Sequence, residues 1–588
     1  MSTIRANIPF MRHLTPSLLI LAFTGLALIG CGRSFDEQRV DTLKAVQTAR
    51  YHDALGEVNE LYDSYALGEP AEKGGAKKDS ASLNEKQLLL WHMERGMISH
   101  VAGDWAASDQ HLDEAARLVD DRRTKSLTRE VGTYVAGDSL REFAGESYEH
   151  VQVDYVRALS RLVEAQRDSG TLKLTASCLP AERANQTAPP TPVEVGPAKF
   201  STDDLYNQTM GITRHLAISV LKETADAADG KRFDDDPFAR LMAALTTLTI
   251  PADLRSDSDL QFADVMVKKS FHAYAVMHQR LAGQKILRYE TPARPKLLDT
   301  LLIRICRAYD PEGFEQRAKE FGFTENDPRF RSLAPKGSGS VLILNHAGFL
   351  TRPEELRINV VAAATLGGPP APDSTSFHIG AIAAWATGPG SEVALLWPPI
   401  PLPPDIVRTI LAPGGASYIA FGVPVHAPDR FIPPTAQALL RATGAANGEF
   451  PATLEVVSDL DAYARATLKD HQPGVVAKTL IRMMSKQVAA GIISHQVSKK
   501  NELLGLAVNL LASATASLTE NADLRAWTTL PDHIEAALVD VPPGTYSVTI
   551  DPGYGAATVA SITVRAGCLA VVPLRTFHPS LCVTPLKP

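Results

Sequence analysis

WHMERGMISHVAGDWAASDQHLDEAARL, residues 91–118, is the stretch on which the fold turns. Gly96 is followed seven residues later by Gly103-Asp104-Trp105, then by Ser108, Leu112 and Ala115. This reads as two antiparallel helices joined by a tight Gly-Asp-aromatic turn. Small residues on facing sides let the helices approach closely, and the aromatic ring fills the gap beside the turn.

The arrangement resembles a tetratricopeptide (TPR) repeat. Tyr51, Ala54, Val58 and Leu61 repeat the second-helix pattern, as do Leu260, Ala263, Val267 and Ser270 after a first helix around Phe238 to Leu248. The copies keep no 34-residue period, so the resemblance implies an irregular helical array with insertions.

Outward from this array, Phe35 to about Gly170 reads as amphipathic helix interrupted by a polar loop, Gly68 to Ser82. Residues 171–202 carry Pro180, Pro189, Pro190, Pro192 and Pro197 and read as a loop or linker. Helix resumes over Asp203–Gly230, Phe238–Gly283 and Leu297–Phe321. After Gly337-Ser338-Gly339-Ser340 the character changes, and Ser340–Asn345 reads as a buried strand. Ile358–Ala363, Val393–Trp397, Tyr418–Val425 and Ala452–Val457 are further strand candidates, followed by helices over Ala462–Lys469, Gly474–Ala490 and Glu502–Leu518. Ile534 to Thr576 alternates in four short pieces, with Tyr546, Val548 and Ile550 on one face.

The expected class is therefore α+β: a TPR-like helical array, a central mixed strand-rich region and a small C-terminal antiparallel β-sandwich. The boundaries expected are 31–170 for the first helical domain, 171–202 for the linker and 203–335 for a second helical region. A strand-rich domain over 336–460, a helical segment over 461–530 and a β module over 531–588 complete the chain.

Residues 1–30 read as a secretory signal. Arg5, Arg12 and His13 precede an uncharged run from Leu14 to Ile29, too short and wrongly flanked for a spanning helix. Leu28-Ile29-Gly30-Cys31 resembles the lipobox of bacterial lipoproteins, which implies cleavage between Gly30 and Cys31 and lipid (diacylglycerol, palmitate) on the Cys31 thiol. Gly32, where an inner-membrane retention aspartate often stands, favours the outer membrane with the protein facing the periplasm.

The chain beyond residue 30 carries 57 basic and 66 acidic groups, a net charge of −9, which argues against nucleic acid as a partner. Its 45% hydrophobic residues suffice for sizeable cores. Cys178, Cys306, Cys568 and Cys582 remain after lipidation and allow three pairings. Cys568 with Cys582 is the candidate disulfide, and unpaired buried thiols are the alternative.

His346 follows a strand, but no Gly-x-Ser-x-Gly elbow accompanies it, and it reads as a loop histidine satisfied by backbone. The run Phe233-Asp234-Asp235-Asp236-Pro237 lacks calcium-loop spacing and reads as a solvated N-cap for a helix beginning at Pro237. No His-Glu-x-x-His, Walker A loop or dinucleotide fingerprint occurs. No catalytic residue, metal or cofactor is expected from these residues.

Pro543-Gly544-Thr545-Tyr546 and Gly553-Tyr554 make the C-terminal part similar to the PEGA modules of bacterial surface proteins, without the motif that names them. Two further stretches stand out: Gly145-Glu146-Ser147-Tyr148-Glu149 opening a helix, and Asp523-x-Arg525-x-Trp527-x-x-Leu530-Pro531 before the β-rich end. With the lipobox and the Leu342–Asn345 strand followed by Gly348, the layout resembles a family of large bacterial envelope lipoproteins. That resemblance implies an envelope scaffold or adaptor that binds a protein partner. An enzyme acting on an envelope polymer through the central domain, and a glycan-binding module, are the alternatives.

Overall fold

The computed structural model describes residues 35–65, 86–129, 142–175, 178–179, 200–226, 235–289, 294–331, 337–363, 381–387, 416–426, 434–443, 448–472, 475 and 522–578. Helices come first: α1 (Phe35–Gln47), α2 (Tyr51–Tyr65), α3 (Leu88–Ala102), α4 (Trp105–Arg129) and α5 (Ser147–Asp168). Two short strands, β1 (Leu172–Leu174) and β2 (Cys178–Leu179), lie within the expected linker. Then follow α6 (Thr202–Asp226), α7 (Pro237–Thr249), α8 (Asp257–Gly283), α9 (Lys296–Tyr309), α10 (Phe314–Lys319) and α11 (Pro328–Arg331). From α1 to α10 each helix packs on its neighbours in sequence.

The α3–α4 hairpin shows why its sequence folds this way. Gly103 ends α3 in the left-handed region (φ 87°), where a side chain would be strained, and returns its N–H to the His100 carbonyl. Asp104 then caps α4 by accepting from Ala107 N–H at 3.1 Å. Across the pair, a Cβ on Gly96 would stand 2.4 Å from Leu112 Cγ, so no larger residue fits without separating the helices. Leu112 is fully buried at this contact, Ser108 and Ala115 are fully buried on the same helix, and Trp105 is buried beside the turn. Gly96→Val should therefore cost about 1–3 kcal/mol by overpacking, read as a lower midpoint in chemical unfolding. An unchanged midpoint would contradict the close approach.

The second half supplies β3 (Gly339–Ala347), β4 (Glu354–Ala363), β5 (Ala381–Thr387), β6 (Ala416–Val425), β7 (Gln437–Thr443), β8 (Glu449–Thr453) and β9 (Glu455–Ser458). Residues 460–472 are helical. The chain closes with β10 (His533–Val541), β11 (Gly544–Asp551), β12 (Ala557–Val564) and β13 (Leu569–Thr576). Ala452–Val457, expected as one strand, is split at Leu454 between β8 and β9. Val393–Trp397, Glu502–Leu518 and all of Gly474–Ala490 except Val475 lie outside the described residues.

The strands form three sheets, ordered β2-β13-β3-β10-β9, β1-β12-β11-β7-β8 and β5-β4-β6. This corrects the expectation of a separate antiparallel C-terminal module. All four C-terminal strands exist, but β10 and β13 flank β3, β13 in parallel, while β11 and β12 join β1, β7 and β8. Pairing thus crosses the boundaries expected at 202, 460 and 530.

The physical reason lies in β3. Its nine residues are all buried, so both backbone edges need partners that water cannot supply. β13 is buried along its length too. Helices α5 and α7 contact β13 and α9 contacts β10, while β12 contacts β3 and β13 and β8 contacts β10. Where β2 is too short to cover the far edge of β13, the buried Gln166 amide takes its place. Gln166 Oε1 accepts from Val571 N–H at 2.8 Å, and its Nε2 donates to the Val571 carbonyl at 3.3 Å. By contrast β11 alternates, with Tyr546, Val548 and Ile550 buried and the residues between them half-exposed.

Among the described residues no helix is long and apolar enough to cross a membrane.

Candidate functional site

Gly30, Cys31 and Cys582 lie outside the described residues. Cys568 is exposed with a free thiol, and Cys306 is buried with its thiol 3.5 Å from Asp264. Gly96 meets Leu112 across the α3–α4 pair and Trp105 lies beside Gly103, while Ser108 and Ala115 are buried on α4, Ser108 Oγ accepting from Ser160 Oγ on α5 at 3.1 Å.

His346 is on strand β3 rather than in a loop, and it is buried. Its Nε2 lies 2.8 Å from the Tyr155 hydroxyl and its Nδ1 3.2 Å from the Leu574 carbonyl. The carbonyl can only accept, so Nδ1 carries the proton and Nε2 accepts from Tyr155. Asp236 does cap the helix starting at Pro237, accepting from Ala239 N–H at 2.9 Å. The cap is not solvated as expected: it is buried, and burial pushes its carboxyl up to about 6.

The Gly145–Glu149 and Asp523–Pro531 stretches, far apart in sequence, meet in space. Glu149 on α5 accepts from Trp527 N–H at 2.7 Å and, through its other oxygen, from Glu146 N–H at 2.7 Å. Glu94 on α3 accepts from the Thr528 N–H and hydroxyl (2.9 and 3.0 Å) and from the Thr529 N–H and hydroxyl (3.3 and 2.5 Å). Arg39 on α1 donates to the Leu524 carbonyl at 3.3 Å. Three consecutive backbone amides, Trp527 to Thr529, are thus held by two buried carboxylates from the helical array. The strand side is tied equally: Asp532 N–H donates to Ala347 O at 2.9 Å, and Arg575 donates to the carbonyls of Gly348 and Thr529.

Glu149 belongs to a stretch that stands out in the sequence, but its buried role does not, and Glu94 is not marked by any motif. The available signal was positional: Glu94 shares a helix row with Leu90, Met97 and Val101, where a solvated acid would not stand.

A second buried network adjoins it. Arg288 donates to Asp459 and to both oxygens of Asp532 (2.9 and 3.0 Å), and lies 3.2 Å from Asp461. His533 sits between Asp532 (2.8 Å) and Glu535 (3.3 Å), and Glu535 accepts from Asn345 on β3 at 2.9 Å. Among the described residues no group of three or more His, Cys, Asp or Glu is arranged to hold a metal ion.

Beside the first network a cleft of about 330 Å³ opens between the start of α5, the helix over 460–472, the end of β6 and residues 522–526. Phe143, Tyr148 and Leu468 supply apolar wall, and Glu142, Glu146, Asp523 and Arg525 supply charge. Three other cavities, of about 20, 90 and 10 Å³, are smaller.

These environments set a pH profile. Burial pushes His92, His100, His111 and His426 down to about 4 and His346 to about 3. The unfolded chain, with ordinary histidines near 6.5, then binds protons that the folded chain refuses, so stability falls as pH drops from about 6.5 to 4. Burial pushes Glu149 up to about 8 against its two amide donors. His533, penalised by burial but bonded to Asp532 and Glu535, rises to about 9. Both hold protons the unfolded chain has lost, so their contribution disappears as pH rises, through about 8 for Glu149 and about 9 for His533. Five histidines outweigh the two raised carboxyls, Glu149 and Asp236, on the acid side. Thermal melts from pH 4 to 9 should peak near pH 6.5, and His533→Gln should flatten the alkaline limb. A melting temperature still rising at pH 9 would contradict this assignment.

No family model, curated protein or solved structure matches the chain.

Proposed function

We propose that this chain is a lipid-anchored adaptor of the bacterial cell envelope. In this reading residues 1–30 are removed and lipid on Cys31 holds the protein on the outer membrane, facing the periplasm. Two or three acyl chains at roughly 0.8 kcal/mol per buried methylene make such an anchor stable. The array α1–α10 is TPR-like, and residues 531–588 carry PEGA-like strands inside a larger β core. The protein binds a protein partner in cell-envelope assembly.

The observation that carries this reading is the cleft of about 330 Å³, built where the array and the C-terminal segment join. Its size is at the lower end of the range for ligand sites, about 300–1,000 Å³. Sequential helix packing supports the array: Ala54 and Val58 on α2, and Ala263, Val267 and Ser270 on α8, are fully buried at positions repeating the α4 pattern. Ser270 Oγ donates to Pro237 O at 2.7 Å across the α7–α8 pair. His346, the one histidine of the central domain weighed as catalytic, has both ring nitrogens taken up inside the core.

Two measurements test the proposal together. Cys31→Ala should move the protein from the membrane to the soluble fraction. A photo-crosslinking residue at Thr467, in the cleft wall, should capture a specific protein in intact cells. Membrane retention of Cys31→Ala would overturn the anchor, and a cleft that captures no protein would overturn the adaptor.

A further inference from the structure

We propose that the junction of α2, α3 and α4 is an acid-operated clasp: one proton on the His92–His111 pair expels Arg95 from between His111 and Asn59 and loosens α2.

Arg95 ties the three helices together. From α3 its Nε donates to His111 Nε2 on α4 at 3.1 Å, and its Nη1 donates to Asn59 Oδ1 on α2 at 2.7 Å. Trp91 Nε1 donates to the same Asn59 oxygen at 3.1 Å, and the guanidinium stands 5.0 Å from the Trp91 ring centre. His92 Nδ1 lies 3.2 Å from His111 Nδ1. All five residues are half-buried, so water reaches them.

Counting protons makes this arrangement a switch. An arginine N–H only donates, so His111 Nε2 is bare and its Nδ1 carries the proton, which goes to His92 Nδ1. A further proton on His111 Nε2 meets the Arg95 N–H directly. A further proton on His92 Nδ1 meets the His111 N–H, and is relieved by moving the His111 proton to Nε2, against Arg95 again. Either way an imidazolium faces a guanidinium, and Arg95 has to leave.

The surroundings agree. Burial pushes both rings down to about 4, with His111 and then Arg95 adding to the push on His92, and Arg95 to that on His111. Asp104, which caps α4, is the one carboxylate acting on the pair among the described residues, and it pulls His111 the other way. From α2 the facing group is the uncharged Asn59, and on α5 Arg157 and Arg161 are engaged by Asp109. Closed, the pair refuses a proton down to about pH 4; opened, an ordinary histidine takes one near 6.5. Opening therefore becomes about twentyfold more frequent, or more, between pH 7 and pH 5.

The test is hydrogen exchange of the full chain in detergent at pH 7 and pH 5, each rate divided by the intrinsic rate at that pH. His92→Gln combined with His111→Gln is the comparison, because glutamine amides repeat the donor and acceptor pattern without titrating. At pH 5, peptides covering α2 should open about twentyfold more often in the parent than in the double variant, and at pH 7 alike. At pH 5 in the parent they should also open more often than peptides covering α5, which marks a local event rather than loss of the whole fold. Arg95→Met is the second variant: it removes the cation that the proton expels, so the acid-induced rise over α2 should shrink with both histidines intact. No acid-induced rise over α2, an equal rise in the double variant, an undiminished rise in Arg95→Met, or equal opening of α2 and α5 at pH 5 would overturn the clasp.

Discussion

Arg288→Met is expected to remove about 3–5 kcal/mol of folding stability, because it strands buried carboxylates without their cation. Asp461 and Asp532 are almost completely buried and Asp459 is largely so; the arginine reaches all three. Methionine preserves much of the packed volume, so most of the loss is electrostatic. Arg465 still pairs with Asp461 at 2.6 Å and protonated His533 stays 2.8 Å from Asp532, which leaves Asp459 as the group most affected by the change. The urea-unfolding midpoint followed by circular dichroism should drop sharply in the variant. Adding Asp459→Asn should recover part of the loss, since it removes one of the uncompensated charges. A variant as stable as the parent would mean that water reaches the cluster.

Trp527→Ala should be comparably severe, at about 3–5 kcal/mol, for a different reason. Trp527 is among the largest completely buried side chains of the described residues. Its removal opens a void at the junction of helices and sheets, and its indole N–H bond to Thr529 Oγ1 at 3.1 Å is lost as well. Trp527→Phe keeps most of the ring volume and should cost markedly less. If both variants unfolded at the parental midpoint, the 524–532 segment could not be the joint between the two halves.

The local elements were legible in the sequence, because local chemistry determines them. Gly96, Gly103, Trp105, Leu112 and Ala115 announce a close helix pair through size and spacing. The apolar run in β3 announces a doubly covered strand, and Asp236-Pro237 announces a helix start. Strand partnership was not legible. The alternation in β11 fixes which side faces inward but carries no information on whether its neighbour is β12, from the same hairpin, or β7, about a hundred residues away. The parallel β3–β13 pair is more remote still, and a compact C-terminal module was the simpler expectation.

The polar networks were hidden for another reason. Glu94, Glu149, Arg288 and Asp532 belong to residue types that normally remain in water, and only their partners keep them inside. Those partners come from segments hundreds of residues apart, so pattern along the chain does not reveal them. The prominence of Gly145–Glu149 and Asp523–Pro531 was readable; their meeting was not.

The joining of the helical array to the C-terminal sheets is tested most directly by hydrogen exchange at Trp527, Thr528 and Thr529. Their amides are bonded to buried carboxylates of α3 and α5 rather than to any strand or helix ladder. Peptides covering 524–531 should exchange as slowly as those covering β3, and Glu94→Ala should speed the exchange at Thr528 and Thr529 while β3 stays protected. Exchange at these three amides far faster than in β3 in the parent protein would show that the halves are not locked together, and the cleft between them would have no fixed walls.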